Sequence, residues 1–103
     1  MMAKVKSAAV VITNPTHYAV ALSYDNTGAP RVVAKGADFV AARIREEADA
    51  HKIPIVANAP LARALYQVEL DREIPADHYR AVAEVIAFVW KLKTRNTASG
   101  VRL

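Results

Sequence analysis

The sequence predicts a single α/β domain, bordering on α+β, with a small mixed sheet of about four strands surrounded by helices. Short runs rich in Val, Ile and Ala at 8–13, 18–24, 31–35 and 55–57 have strand length and are bounded by turn residues. Apolar residues over 79–90 instead recur at three- and four-residue steps, the period of a helix with one buried face. A length of 103 residues supplies one core, not two.

Ala8 to Thr13 is ended by the Asn14-Pro15 breaker, and Tyr18 to Tyr24 alternates as its successor. Asp25 to Pro30 contains the Asn, Gly and Pro that turns demand, so Arg31 to Lys35 should close a hairpin. Lys35, at the end of that strand, reads as solvated. Asp38 is placed to cap a helix running to about His51, with Phe39, Ile44 and Ala48 on or near its inner face. Pro54 stops this helix, Ile55-Val56-Ala57 makes a short strand, and Pro60 suits the first turn of a helix reaching about Gln67. Ile74-Pro75-Ala76-Asp77 opens the last helix, whose core stripe is Tyr79, Val82, Ala83, Ile86, Val89 and Trp90. Residues 1–7 read as a flank, 8–93 as the domain, and 94–103, diluted by Asn, Thr, Ser and Gly, as a flexible tail.

Composition narrows the function. At 53% hydrophobic and 23% charged the chain is an ordinary globular one. No cysteine is present, which excludes a disulfide framework, a thiolate metal site and a thiol nucleophile, and suits a reducing compartment. No apolar run approaches the roughly 20 residues that span a bilayer. The net charge of +4 is partly a basic tail, Lys91, Lys93, Arg95 and Arg102, with no interleaved aromatics to stack bases, so it reads as solvated and nucleic acid is not expected. Gly28, Gly36 and Gly100 are too far apart for a phosphate loop; His17, His51 and His78 lack metal-ligand spacing; no serine lies in a nucleophile elbow. No cofactor and no metal are expected. The carboxylate pairs Glu46-Glu47 and Asp71 with Glu73 stand in polar surroundings, so acid–base work on an external substrate has no support.

The stretch VVITNPTHYAVAL, Val10 to Leu22, offers different chemistry. After an Asn, the usual damage is attack by the next backbone nitrogen on the side chain, but the Pro15 nitrogen carries no hydrogen. The inverse step remains: the Asn14 carboxamide nitrogen attacks its own backbone carbonyl, closes a succinimide and expels Pro15. Such a step needs a near-attack geometry, removal of a proton and donors for the oxyanion. His17 is placed to supply or relay the proton, since an imidazole has a usable neutral fraction near neutral pH, and Thr16 to hold the turn by a side-chain hydrogen bond. Orientation worth roughly 7 kcal/mol brings a reaction of years into minutes. On local residues alone two readings stand, a self-cleaving bond and a plain turn with a solvent-facing histidine.

The wider sequence resembles the cytoplasmic domain of the FlhB/YscU family, the export-apparatus switch proteins of flagellar and virulence type III secretion systems. The similarity rests on VVITNPTHYAVAL, then VVAKGAD (Val32 to Asp38), IPIVANAPLARALY (Ile53 to Tyr66) and EIPADHYRAVAEVIAFVW (Glu73 to Trp90), in order from about Ala8 to Lys93. The resemblance implies autocleavage between Asn14 and Pro15, with Thr16 and His17 completing the motif, as a single intramolecular turnover without an external substrate. It also implies that the cleaved fragments stay associated and that export switches from early to later substrates. Partners would be other export-apparatus proteins, a length-control ruler protein and the export substrates. The place would be the cytoplasmic face of the bacterial inner membrane, through an N-terminal membrane half that this sequence does not contain. Met1-Met2 reads as the start of an excised piece, and VVAKGAD with AVAEVIAFVWKLK favours the flagellar branch. The alternative is a free-standing, non-cleaving interaction module that docks substrates or chaperones.

Overall fold

A computed structural model describes the backbone of residues 1–101 and the side chains of residues 1–94. Four strands form one sheet in the order β3-β2-β1-β4: β1 (Val10–Asn14), β2 (Tyr18–Ser23), β3 (Arg31–Ala37) and β4 (Ile55–Ala57). Both hairpins are antiparallel, whereas β4 returns parallel to β1 after the helix α1 (Asp38–Ala50). The sheet is therefore mixed, as expected. Helix α2 (Ala59–Leu65) follows β4, and a 3-10 turn, Ala76–His78, leads into α3 (Tyr79–Val101). A further 3-10 turn, Met2–Ser7, was not legible in the flank and buries Val5 against the sheet. The flexibility expected of residues 94–103 falls almost wholly outside the described side chains.

Strand residues alternate between two buried faces, which is why the apolar runs look continuous. Val10, Ile12, Val20, Leu22 and Val32 face α2 and α3. Val11, Ala19, Ala21, Val33 and Ala34 face α1. The small alanines on the second face let α1 lie close to the sheet, while the larger side chains fill the first. A bulge between Ala21 and Leu22 takes Val33 out of the pairing, so Val33 and Ala34 share a face.

Three local expectations need correction. Phe39 is 73% exposed and does not join the core, because α1 packs through Ala41, Ile44 and Ala48. Tyr79, Ala83 and Trp90 are also on the exposed side, leaving Val82, Val85, Ile86 and Val89 as the inner stripe of α3. Lys35 is not solvated: β3 continues to Ala37, so Lys35 points to the α2 side, where its ammonium donates to the carbonyls of Tyr66 and Val68 at 2.9 and 2.8 Å. It supplies a positive charge and two donors to carbonyls that the end of α2 leaves over.

The turn between β2 and β3 is held by Asp25, whose carboxylate accepts from the Thr27 hydroxyl and backbone N–H. These bonds lower its pKa. Helix α2 is capped by Asn58, whose side-chain oxygen accepts from Leu61 N–H at 3.2 Å.

Gly36 is buried and faces the first turn of α1. A Cβ there would lie 2.6 Å from Val40 Cβ and 3.1 Å from its backbone carbon. Gly36→Ala should cost about 1–3 kcal/mol of stability by overpacking. Urea denaturation measures this, and Val40→Ala in the same chain should recover only part of the loss, since alanine keeps the Cβ that stands 2.6 Å away.

Candidate functional site

Asn14, Pro15, Thr16 and His17 form the end of the central hairpin. Asn14 and Tyr18 are the last paired residues of β1 and β2, and Pro15-Thr16-His17 is an exposed three-residue loop between them. Two strong strands so close together force the tight connection, and proline tolerates it because its ring has no N–H to lose. The Asn14 side chain is half-buried and has no hydrogen bond among the described residues.

The backbone N–H of His17 donates to the Asn14 carbonyl oxygen at 2.7 Å. This oxygen belongs to the Asn14-Pro15 bond, so a fixed donor already points at the atom that gains charge when that carbonyl is attacked. The turn is held by this backbone bond and not by the Thr16 hydroxyl, which is exposed and has no hydrogen bond among the described residues.

His17 meets a residue that sequence reasoning assigned elsewhere. Asp38 was expected to cap α1, but the N-cap position is Ala37 and no side chain caps this helix. Asp38 instead has φ of 49°, its N–H donates to the His17 carbonyl at 2.8 Å, and its Oδ1 lies 3.5 Å from His17 Nδ1. Asn14, His17, Tyr18, Ala37 and Asp38 line a cavity of about 260 Å³. The signal was present in VVAKGAD, but its meaning depended on the pairing of β2 with β3.

Behind the loop, the Tyr18 ring lies 4.4 Å from that of Tyr66, and Lys35 Nζ is 5.3 Å from the Tyr66 ring centre. This packing ties the start of β2 to the end of α2. No group of three or more His, Asp or Glu side chains among the described residues could hold a metal ion.

A second surface feature lies away from the loop. Tyr24, Ala29, Pro30, Ala83, Ile86 and Trp90 line an open, mainly apolar groove of about 610 Å³ between the β2–β3 turn and α3. Tyr24 and Trp90 stack across it at 6.1 Å. Among the described residues no helix is long and apolar enough to cross a membrane.

The family model described as "FlhB HrpN YscU SpaS Family" matches residues 1–89. The flagellar biosynthetic protein FlhB of Salmonella typhimurium is 52% identical over 99% of this chain and 27% of its own length. The hypersensitivity response secretion protein HrcU of Ralstonia nicotianae is 48% identical over 90% of this chain and 27% of its own. The chain thus spans about a quarter of these relatives. The crystal structure of the cytoplasmic domain of FlhB from Shewanella putrefaciens superposes with a TM-score of 0.89 at 46% identity, covering 94% of this chain and 77% of that one.

Proposed function

Since the chain belongs to the FlhB HrpN YscU SpaS family of export-apparatus proteins, we propose that it cuts itself once, between Asn14 and Pro15, and that the cut switches which proteins the apparatus exports. The observation that carries this reading is the 2.7 Å bond from His17 N–H to the Asn14 carbonyl. The Asn14 side-chain nitrogen attacks that carbonyl carbon, a new C–N bond closes the five-membered ring, and negative charge collects on the oxygen facing the His17 N–H. The bond to Pro15 then breaks. One proton leaves the carboxamide nitrogen and one arrives on the Pro15 nitrogen, so His17 relays a proton and is unchanged at the end. No water is consumed until the succinimide later opens.

After the cut, β1 remains paired along its length with β2 and also with β4. The fragments therefore stay together, and the effect is a freed loop end rather than a released product. The system is flagellar in this reading, the domain sits at the cytoplasmic face of the inner membrane, and other export proteins, the ruler protein and export substrates are its partners. The apolar groove beside Trp90 supports substrate docking, since it offers a preformed site for a segment with apolar anchors.

Intact mass under denaturing conditions tests the reading. Purified chain should resolve into fragments of Met1 to Asn14 and Pro15 to Leu103, the first initially lighter by one water than the free acid. A single uncut mass after days at neutral pH would favour the non-cleaving interaction module.

A further inference from the structure

Ala37 pairs with Tyr18 in the β2–β3 ladder, so the next residue of each strand beyond that pair, Asp38 and His17, also lie opposite one another. Asp38 faces His17 twice: its backbone N–H donates to the His17 carbonyl at 2.8 Å, and its carboxylate stands 3.5 Å from Nδ1, an ion-pair distance longer than a hydrogen bond. Helix α1 does not explain this arrangement. The Asp38 side chain caps nothing, and its φ of 49° lies in the left-handed region, which is uncommon for a residue with a Cβ though aspartate enters it more readily than most. At Gly36 the missing Cβ lets Val40 close onto β3, and the chain turns from strand to helix within two residues.

We propose that Asp38 is a positioning residue for cleavage at Asn14-Pro15. The inference rests on the cleavage reading above and goes beyond it in assigning a role to a residue outside the tetrapeptide. Once the 3.5 Å gap shortens to hydrogen-bond length in the reactive geometry, the carboxylate accepts the Nδ1–H of His17 and so selects the tautomer whose lone pair is on Nε2. Nε2 takes the proton from the Asn14 carboxamide and returns it to the Pro15 nitrogen, while Asp38 keeps its negative charge throughout, as an orienting carboxylate does in other histidine relays. Asp38 touches neither the scissile bond nor the leaving nitrogen. The two side chains are 72% and 81% exposed, so the pair adds little to stability and its effect on rate is separable from folding.

Two variants test this. Asp38→Gly removes the carboxylate but keeps the N–H bond to His17 and suits the positive φ; Asp38→Asn keeps the shape without the charge. Cleavage is followed by intact mass from the end of a short cell-free synthesis, and the His17 tautomer by 15N NMR in chains that also carry Asn14→Ala and stay whole. The expected result is cleavage slowed roughly tenfold or more in both variants, with the proton moving from Nδ1 towards Nε2 in Asp38→Gly and little change in melting temperature. Cleavage at the parent rate in both variants, or His17 nitrogen shifts indifferent to Asp38→Gly, would overturn the assignment while leaving self-cleavage standing. A parent chain that never cuts would overturn both.

Discussion

Asn14→Ala is expected to leave the chain as one polypeptide for as long as it is kept. The substitution removes the nitrogen that closes a five-membered ring on the Asn14 carbonyl. Its neighbour Pro15 has no N–H, and an imidazole on its own relays protons without breaking the amide. The fold should scarcely respond. Residue 14 is the last of β1, its side chain has no hydrogen bond among the described residues, and the bond from His17 N–H uses the backbone oxygen, which alanine retains. A stability change within about 0.5 kcal/mol, as for an ordinary surface substitution, is expected from thermal or urea unfolding. Denaturing electrophoresis or intact mass reads the cleavage. Fragments of parent size from the Asn14→Ala chain would mean that a different nucleophile does the work.

Ile12→Ala should produce the largest loss of stability, about 2–5 kcal/mol, because it empties a fully buried position on a central strand. Ile12 pairs with Val20 on one side and Val56 on the other, and its side chain joins the cluster that includes Leu61, Leu65 and Val82. In an uncut chain the outcome is a lower urea midpoint. In a cut chain it is larger in kind, since the strand bearing Ile12 is no longer covalently joined to the rest and its binding becomes concentration-dependent. Size-exclusion chromatography at low micromolar concentration should show the Met1 to Asn14 peptide leaving cleaved Ile12→Ala but not cleaved parent. Adding Asn14→Ala to Ile12→Ala should abolish peptide release without restoring the urea midpoint.

Most of the fold was legible because its signals are local. The four strands were visible as short β-branched runs between turn residues, and the last helix from the spacing of Val82, Ile86 and Val89. The tetrapeptide stood out because Asn-Pro between two such runs closes one reaction and opens another. What escaped reading depended on contacts distant in sequence. Lys35 looked like a solvated strand end, yet its partners are carbonyls 31 and 33 residues away. Asp38 has the residue type of a helix cap and stands where a cap belongs, and only the pairing of Tyr18 with Ala37 turns it towards His17. Phe39 fits an apolar stripe by spacing, but alanines on the sheet bring α1 so close that Ala41, Ile44 and Ala48 fill the contact without it.

If the Asn14-Pro15 bond is cut as proposed, the position of β1 between an antiparallel and a parallel neighbour gains a mechanical meaning. A tug transmitted from residues 1–9 runs along the strand, across the direction of its hydrogen bonds, and so loads both ladders together instead of peeling them one rung at a time. A joint nicked there would bear tension from that side, while the new end at Pro15 would be free to swing.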